Sequence, residues 1–365
     1  MARSRLLKFF AALVFFISFS VSADSHNKEW RPQSIKYDWL QLTSGEWLKG
    51  EVESMYSGIL EFDSDNLGLL LIDWEDVEYL QSYQPGSVNI ENHGSVDGVM
   101  TISGNKITIK NEQFEKEFDR DEIISFTHAA DSEIDLWAVK FTFGIFIRGG
   151  NTDQVDYSSK LSAIRRNTNS RLAINYIGYV SKTNLASGTS VETINNHRLF
   201  GALDIYATRN FFYNPINAEV YRDPFQNIDQ RITVGAGLGY IIRDSDKAEW
   251  DLSVGPAYVT TKYISVQAGE DIRVDSGSLA VSTDLDIELT KALDFKFKYN
   301  VHLLKNESGG YTHYLIATLE SEITKDLDLD ISLVWDRTSH PTEDIDGNLP
   351  EPDDFRLLLG LSYSF

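Results

Sequence analysis

The chain has 365 residues, of which 42% are hydrophobic and 24% are charged, and its formal net charge is −22. This composition supports a folded core, leaves room for about two domains, and is not that of a disordered chain. The negative charge argues against a nucleic-acid partner, because phosphate backbones are bound by basic patches. The lack of cysteine excludes disulfides, thiolate metal sites and a lipid-modified N-terminal cysteine.

The first 23 residues predict a secretory signal peptide. Three basic residues precede an apolar run from Phe9 to Ser20, and Val21-Ser22-Ala23 then has the small-x-Ala pattern of a cleavage site. The apolar run is shorter than the ~20 residues that a membrane-spanning helix needs. Export and cleavage after Ala23 are therefore favoured over a helical anchor. Residues 24–37 are expected to form a linker.

Residues 38–130 contain an internal repeat, which predicts a periplasmic tandem β-module. The segment IDWEDV (72–77) matches FDRDEI (118–123) at an offset of 46, and both copies consist of short alternating runs punctuated by glycine and aspartate. The pattern resembles small SH3-like or Sm-like β-barrels. Its acidic residues fall at turns, as solvated charges do. We expect this module to dock a periplasmic protein partner and to have no catalytic role.

Beyond residue 138 the predicted strands lengthen to ten or more residues and have one apolar and one polar face. Strand 157–166 is weak because it is rich in serine, and strand 210–221 is weak because it contains Pro215. The prediction is therefore twelve strands, with ten as the alternative. The twelve lie at 138–149, 157–166, 170–182, 194–207, 210–221, 229–243, 248–262, 275–289, 292–304, 311–324, 326–337 and 354–365.

The connections between these strands alternate in length. Short turns such as 167–169 and 290–292 alternate with long loops such as 183–193 and 338–353. This parity is typical of an outer-membrane barrel, whose periplasmic turns are short and whose external loops are long. We therefore predict an all-β chain with a C-terminal antiparallel transmembrane β-barrel at 138–365, in the outer membrane of a Gram-negative cell. A soluble secreted β-sandwich is the structural alternative.

The polar faces of the strands are predicted to line the lumen. Lys296, Lys298 and Arg231 all lie on a polar face, and placing such a cation against lipid near the midplane costs about 2–4 kcal/mol. Two interpretations remain open: the charges pair and plug the interior, or they line a pore for small solutes. The candidate lumen charges are Asp284, Asp286, Glu288, Lys296, Lys298, Asp328, Asp330, Arg231 and Arg356.

The sequence offers little support for catalysis. His302 shares the lumen face with Lys298, and His313 falls on the lipid-facing side of its strand, but neither stands beside a serine in a recognisable motif. A surface lipid hydrolase therefore remains an unfavoured alternative. The acidic loop 338–353 contains DIDG, an incomplete calcium-loop pattern that a solvated loop explains more simply. No catalytic, cofactor-binding or metal-binding residue is predicted.

Three ordered motifs together resemble a known family. Gly149 to Asp153 follows the first barrel strand, Ile228 to Arg231 leads into GAGLGY (235–240), and the chain ends in an aromatic strand. On these motifs, residues 138–365 resemble the YdiY-like salt-induced outer-membrane proteins, domain-of-unknown-function family 481. The resemblance implies an outer-membrane barrel linked to salt or osmotic stress. It supplies no ligand or catalytic residues.

The closing segment FRLLLGLSYSF (355–365) resembles the signal that the envelope's barrel-assembly machinery reads. It is expected to pair with both the preceding strand and the first strand, which closes the sheet and leaves no edge. The sequence thus predicts a structural or envelope-homeostasis protein in contact with outer-membrane lipid and lipopolysaccharide, with a small-solute channel or transporter as the alternative. The residues proposed as the assembly signal are Leu357, Leu359, Leu361, Tyr363 and Phe365.

Overall fold

A computed structural model of the chain describes residues 32, 36–56, 58–128, 133–150, 153–185, 189–245 and 247–365. The predicted signal peptide and most of the predicted linker lie outside these residues. The described part of the chain is built from strands, with short 3₁₀ turns between some of them. None of its helical turns is long and apolar enough to cross a membrane.

The N-terminal part forms ten short strands. Their 3₁₀ turns at Trp74–Asp76 and Arg120–Glu122 occupy matching positions in the two sequence repeats. The first copy therefore supplies the first five strands and the second copy the other five. The strands are β1 (Asp38–Leu42), β2 (Trp47–Tyr56), β3 (Ile59–Ser64), β4 (Gly68–Asp73), β5 (Val77–Gln81), β6 (Gly86–Ile90), β7 (Gly94–Ser103), β8 (Lys106–Lys110), β9 (Glu115–Asp119) and β10 (Ile123–His128).

The two copies share one closed ring of six strands. The order around the ring is β1-β5-β7-β6-β10-β2, and β1 pairs back onto β2. Two of the pairings, β5 with β7 and β2 with β10, join one copy to the other. The hairpin strands β3 and β4 extend outward from β2, and β8 and β9 extend in the same way from β7. Each copy therefore depends on the other for closure.

The interior of this small barrel is apolar and draws on both copies. Leu40, Val52, Met100 and Ile102 are among its fully buried side chains. Equivalent positions of the repeat also meet directly, because the Arg120 guanidinium lies 4.6 Å from the centre of the Trp74 ring. Arg120 also donates hydrogen bonds to the carbonyl oxygens of Trp74 and Val77. These contacts lock the copies together.

Asp38 fixes the start of the small barrel. Its carboxylate is 3% exposed and accepts hydrogen bonds from the backbone N–H groups of Val52 and Tyr83. Burial raises the pKa of the Asp38 carboxyl, and the two hydrogen bonds oppose that rise. The side chain thus ties β1 to β2 and to the segment that follows β5.

The C-terminal part is a closed barrel of twelve antiparallel strands in sequential order. The predicted count of twelve is confirmed. Pro215 is accommodated by a register shift between Asn214 and Asn217, where β15 pairs with β16, so this strand continues through the proline. The strands are β11 (Trp137–Arg148), β12 (Asp153–Asn167), β13 (Ser170–Asn184), β14 (Ser190–Tyr206), β15 (Phe211–Asp223), β16 (Ile228–Ser245), β17 (Ala248–Tyr263), β18 (Arg273–Thr290), β19 (Leu293–Leu303), β20 (Tyr311–Thr324), β21 (Leu327–Thr338) and β22 (Asp353–Ser364).

The barrel closes between β11 and β22, as the terminal strand predicted. Lys140–Phe143 pair with Leu361–Ser364, and Val139 and Phe365 exchange two backbone hydrogen bonds. This ladder is much shorter than the ladder between β11 and β12, which runs from Trp137 to Arg148. The seam therefore depends on a few residue pairs near the chain terminus.

Gly144 lies where the seam is tightest, and replacing it should weaken closure. A Cβ at this position would stand 2.0 Å from the carbonyl oxygen of Leu359. We expect Gly144→Ala to destabilise the barrel by about 1–3 kcal/mol, the usual cost of forcing extra atoms into a packed site. The measurement is the temperature at which the folded, fast-migrating gel form disappears.

Gly277→Ala is the matched control. Gly277 also lies in a barrel strand, but a Cβ there would meet no heavy atom within 4 Å. The temperature at which the folded gel form of Gly277→Ala disappears should stay close to that of the native protein. Equal transitions for the two variants would contradict the close approach at the seam.

Candidate functional site

The outer surface of the large barrel is apolar and carries aromatic side chains near both ends. Val254, Leu238 and Leu359 are about half exposed and belong to the band between the ends. We call the end with short turns the turn end and the other the loop end. Outward-facing aromatics near the loop end are Tyr157, Tyr258, Tyr311 and Phe355, and those near the turn end are Tyr213, Tyr240, Trp250, Tyr363 and Phe365.

One aromatic cluster joins neighbouring strands on this outer surface near the loop end. The His313 ring stacks on Trp335 with a centroid distance of 5.5 Å, and Trp335 stacks in turn on Phe355 at 6.2 Å. The Tyr299 hydroxyl lies 2.7 Å from the Nδ1 atom of His313. His313 is thus part of an aromatic cluster, which fits the interfacial position expected from its sequence parity.

Inside the barrel, charges are held in pairs. Near the turn end, Lys140 contacts Glu320 at 2.8 Å and Asp328 at 2.6 Å. Lys296 contacts the same Glu320 at 2.8 Å, so one carboxylate serves two cations. Because an unpaired buried charge is costly, this sharing fixes the four side chains relative to one another.

A second network near the turn end reaches across the lumen. The Arg171 guanidinium on β13 lies 3.0 Å from carboxylate oxygens of Asp204, Glu249 and Asp251. Glu249 and Asp251 lie on β17, four strands away from β13. Arg166 on β12 adds a contact of 3.4 Å to Glu249. Arg171 therefore links β13 to β17 across the lumen.

A third network crosses the lumen nearer the loop end, and we call Arg198, Asp336 and Arg356 the crossbar. Arg198 on β14 contacts Asp336 on β21 at 2.6 Å, and Arg356 pairs with the other oxygen of Asp336. Glu219 contacts Arg198 at 2.7 Å. All four side chains are at most 10% exposed, so the crossbar is a buried network.

Two tyrosines hold the central arginine of the crossbar. The Arg198 guanidinium lies 4.2 Å from the ring centres of both Tyr221 and Tyr314. A guanidinium between two aromatic faces is stabilised by cation–π attraction as well as by its carboxylates. The two rings also fill space beside the crossbar, so side chains of several kinds occupy this level of the lumen.

The lumen between the crossbar and the turn end contains a cavity of about 780 Å³. Arg198, Glu219 and Tyr314 border it on the crossbar side, and Trp137 and Phe365 border it at the turn end. A second cavity, of about 310 Å³, lies against the Arg171 network. The volume of the larger one suits a small solute. The cavities lie on the turn side of the crossbar.

On the other side of the crossbar, loops of the barrel are tied to one another. The Gln226 side-chain amide donates to the carbonyl of Glu351 at 3.0 Å, and that of Asn227 donates to Ser265 at 2.8 Å. The backbone N–H of His340 donates to Gly309 at 3.1 Å. These contacts join the loops 224–227, 264–272, 304–310 and 339–352.

The space left between these loops and the crossbar is small. A cavity of about 20 Å³ is lined by Arg198 and Asp336 on one side and by Gln226 and Pro352 on the other. Such a volume holds a single water molecule. The crossbar and the loops together therefore narrow the lumen sharply at the loop end.

Within the described part of the chain, the sequence-predicted lumen charges are ion-paired, either in these networks or in separate pairs, with two exceptions. Asp284 contacts Lys298 at 2.9 Å, Asp286 contacts Lys296 at 3.7 Å, and Asp330 contacts Lys160 at 2.9 Å. Asp328 and Arg356 are the partners described above. The exceptions are Arg231, whose guanidinium donates to the Thr261 hydroxyl at 3.1 Å, and Glu288, which lies directly across from Asp294.

Sequence reasoning missed part of the network. Lys140 precedes the outward-facing Phe141 and Phe143, so strand parity could have assigned it to the lumen. The strand of Arg171 lacks regular alternation and gave no such signal. The other side chains that were missed are Arg166, Glu219, Glu249 and Asp251.

The glycines of GAGLGY (235–240) lie on the inner face of β16, between the outward-facing Val234, Leu238 and Tyr240. A Cβ on Gly239 would lie 2.0 Å from the ring of Phe212, a side chain that is 3% exposed. Gly239 therefore leaves room for an inward-pointing aromatic ring. Phe212 in turn lies beside Arg171, whose guanidinium is 5.8 Å from the ring centre.

The histidine in the lumen has a serine neighbour that the sequence did not reveal. The Nδ1 atom of His302 lies 3.4 Å from the Ser278 hydroxyl, on the adjacent strand. This is longer than the reach of a nucleophile and its general base. Among the described residues, no group of three His, Asp or Glu side chains is arranged to hold a metal ion.

The small barrel, which we call the module (residues 36–128), docks on two turns of the large barrel. The Asn89 side-chain amide donates to the Thr168 carbonyl at 3.1 Å, and the hydroxyls of Thr127 and Thr168 lie 2.8 Å apart. Ser95 donates to the Asn169 side chain at 2.7 Å. Arg209 donates to the carbonyl of Ile123 at 3.0 Å, which adds a second turn to the interface.

The linker after the module is also fixed to the large barrel. Glu133 lies in the short 3₁₀ turn Glu133–Leu136, and it accepts a hydrogen bond of 3.0 Å from Arg165 at the end of β12. The module is thus held by its own side chains and by the segment that joins it to β11. All of these contacts lie at the turn end.

A protein-family model described as "Protein of unknown function, DUF481" matches residues 141–365. No match was found among curated proteins. Solved structures with some likeness include the NanC porin (11% identity, TM-score 0.37, covering 62% of this chain and 98% of that one) and an outer membrane channel from Pseudomonas putida F1 (11%, 0.34, 63% and 94%). Another is the outer membrane channel DcaP of Acinetobacter baumannii (14%, 0.29, 90% and 94%). TM-scores this low do not establish a shared activity.

The crossbar gives a prediction about stability. Asp336→Asn removes the charge that two buried arginines share, and breaking a buried pair in this way costs about 3–5 kcal/mol. We expect urea unfolding of the purified protein in detergent to shift to clearly lower concentration. The measurement is the unfolding midpoint followed by tryptophan fluorescence.

Asp353→Asn is the control. Asp353 pairs with Arg337, but both side chains are about one-third exposed, and such pairs contribute at most about 1 kcal/mol. A loss at Asp336 no larger than the loss at Asp353 would contradict the buried role assigned to the crossbar.

Proposed function

This chain belongs to the DUF481 family, and from that premise we propose that it is an outer-membrane barrel, sealed by its own side chains, that anchors a β-module in the periplasm. The observation that carries the proposal is the crossbar, because a buried ion-paired network across the lumen obstructs an aqueous path. In this role the large barrel is a membrane anchor. The module is the part available to other proteins.

Membrane insertion is supported by the outer surface of the large barrel. Its outward side chains form an apolar band with aromatic residues near both ends, which is the surface that a bilayer requires of a transmembrane barrel. The charged side chains of the three lumen networks are turned inward, away from this band. Lipid and lipopolysaccharide of the outer membrane are therefore the proposed surroundings of the band.

The proposed periplasmic position of the module is supported by the turns on which it docks. Thr168, Asn169 and Arg209 lie in short connections, and short connections face the periplasm in outer-membrane barrels. We also keep the proposal that the assembly machinery reads Leu357, Leu359, Leu361, Tyr363 and Phe365. These side chains are between 51% and 71% exposed on the outer face of β22, where another protein could contact them.

We further propose a role in envelope homeostasis under salt or osmotic stress. This part of the proposal rests on the family resemblance of the sequence motifs. A small-solute channel is the second candidate. The cavity of about 780 Å³ favours it, because it could admit a solute from the turn end. Catalysis is not proposed.

Conductance separates a sealed barrel from a channel. We expect the native protein in a planar bilayer to show no steady current steps, because the crossbar and the tied loops obstruct the lumen. Replacing Arg198, Asp336 and Arg356 by alanine, together with a short Gly-Ser substitute for residues 340–351, should produce steps.

The control carries the same loop substitute with Lys160→Ala and Asp330→Ala. This pair lies at the turn end and is not part of the crossbar. It should conduct less than the crossbar variant. Regular open-channel steps from the native protein would refute the sealed barrel and favour the channel.

Docking of the module can be tested by cross-linking, because the chain has no cysteine of its own. Ser95→Cys with Asn169→Cys should form a disulfide under mild oxidation, since the native side chains are 2.7 Å apart. Ser95→Cys with Lys291→Cys places the second thiol in a different turn and should stay reduced. The readout is gel mobility after protease digestion between the two positions, and equal cross-linking of both pairs would argue against a fixed module.

A further inference from the structure

The outermost strand of the first repeat, β4, is unprotected. Among the described residues it pairs with β3 alone, so its other edge is available to another strand. Leu69 and Leu71 lie on it and Leu67 lies in the turn just before it, and they are 60%, 57% and 65% exposed. Natural proteins usually guard an open edge with charges or a covering element. Three exposed leucines on such an edge therefore require an explanation.

The second repeat shows how a guarded edge is built in this fold. Its outermost strand, β9, has Glu115 and Glu117 at the positions of Leu69 and Leu71, at the repeat offset of 46. Lys110 contacts Glu115 at 2.8 Å, and Lys106 contacts Glu117 at 3.6 Å. Lysines on the neighbouring strand thus neutralise the acids of this edge.

In the first repeat both matching lysines are missing: by strand register, Asp63 takes the place of Lys110 and Ile59 that of Lys106. Asp63 pairs with Leu69 and Glu61 with Leu71 across β3 and β4, so these carboxylates border the leucines on the same face. Glu51 lies next to Asp63 on β2. Within the described part of the chain, none of the three acids has an ion-pair partner. The first edge therefore presents apolar side chains beside unneutralised negative charge.

The two copies of the repeat also differ in their hydrogen bonds to the large barrel. The module residues that bond to the turns of the large barrel, namely Asn89, Ser95, Ile123, Ser125 and Thr127, all belong to the second copy. In the first copy, the edge β4 retains its exposed leucines. Among the described residues, the copy with the open edge makes none of these hydrogen bonds to the turns.

We propose that β4 binds an extended segment of another protein that carries lysine or arginine at alternate positions. Such a segment adds as a strand, and its alternate side chains all lie over the leucines. The aliphatic stems cover Leu69 and Leu71, while the charged ends reach Glu61 and Asp63. This inference specifies the kind of partner for the docking role proposed above, and it rests on the module lying in the periplasm.

Charge argues against other occupants of the same edge. Residues 38–128 contain 19 acidic and 5 basic side chains. Two copies paired through β4 would leave the carboxylates of both β3 strands, about 14 Å apart, without a cation between them. An anionic lipid surface would be repelled by these carboxylates. A basic strand is the occupant that neutralises this face.

The test uses the full mature protein in neutral-lipid nanodiscs and a fluorescent peptide, Thr-Lys-Thr-Lys-Thr-Lys-Thr. We expect saturable binding by anisotropy at low salt, weakening as salt rises. Leu69→Ser with Leu71→Ser, and separately Glu61→Gln with Asp63→Asn, should each lower affinity at least tenfold. These side chains are on the surface, so folding is expected to be retained.

The matched control is Glu115→Gln with Glu117→Gln, which removes two charges at the equivalent edge of the second repeat. It should change affinity less than twofold. Equal loss of affinity in the two acid variants with none in the leucine variant would mean that the peptide follows net charge, and it would overturn the proposal, as would equal binding by all variants. Equally tight binding of Thr-Glu-Thr-Glu-Thr-Glu-Thr, self-association through β4, or binding only to anionic vesicles would also overturn it. None of these outcomes depends on the conductance measurement or on the Ser95–Asn169 cross-link. The proposed function is therefore tested separately from binding at β4.

Discussion

Charge pairing inside a closed barrel is the constraint on which the rest of this structure depends. Strand alternation sends every second side chain inward, and twelve strands leave an interior too wide for neutral side chains alone to fill. The chain fills it with arginine, lysine, aspartate and glutamate. A buried charge without a partner is costly, so the cations of the three networks meet carboxylates on other strands, whereas Arg231 meets a threonine hydroxyl. Arg198 and Arg171 each reach a carboxylate across the lumen, and these contacts narrow its interior.

Buried ion-pair networks of this kind determine the register of the strands more than they raise the free energy of unfolding. Replacing a buried ion pair by apolar side chains is often neutral or stabilising, whereas removing one member is strongly destabilising. The crossbar therefore ties β14, β21 and β22 to one register, since a slip of one residue would turn Arg198 outward and leave Asp336 unpaired. The terminal strand takes part directly through Arg356. The short seam between β11 and β22 has a separate inner contact, between the hydroxyls of Thr142 and Ser362, which lie 2.8 Å apart.

Much of the large barrel could be predicted from the sequence, because period-two alternation and the parity of connection lengths are local signals. Strand β20 was predicted with the bounds that the structure has, Tyr311–Thr324. Pairing across the lumen could not be predicted. Arg198 and Asp336 are 138 residues apart, and neither sequence neighbourhood indicates the other. Arg171 was missed altogether, since its strand does not alternate clearly.

The small barrel also contains pairings that could not be predicted from the sequence. The offset of 46 revealed two copies, but it could not reveal that β5 pairs with β7 and β2 with β10, which makes one ring from both. Once the copies share a ring, neither can be lost. Their outer hairpins contribute core side chains such as Phe62 and Ile109, but the exposed faces of these hairpins can differ because the core does not use those faces. The second copy has a guarded edge and bonds to Thr168 and Asn169, whereas the first has an open edge with leucines beside carboxylates. A duplicated module can therefore hold its anchor with one half and present the other half to a partner, with a common core keeping the two surfaces in fixed relation.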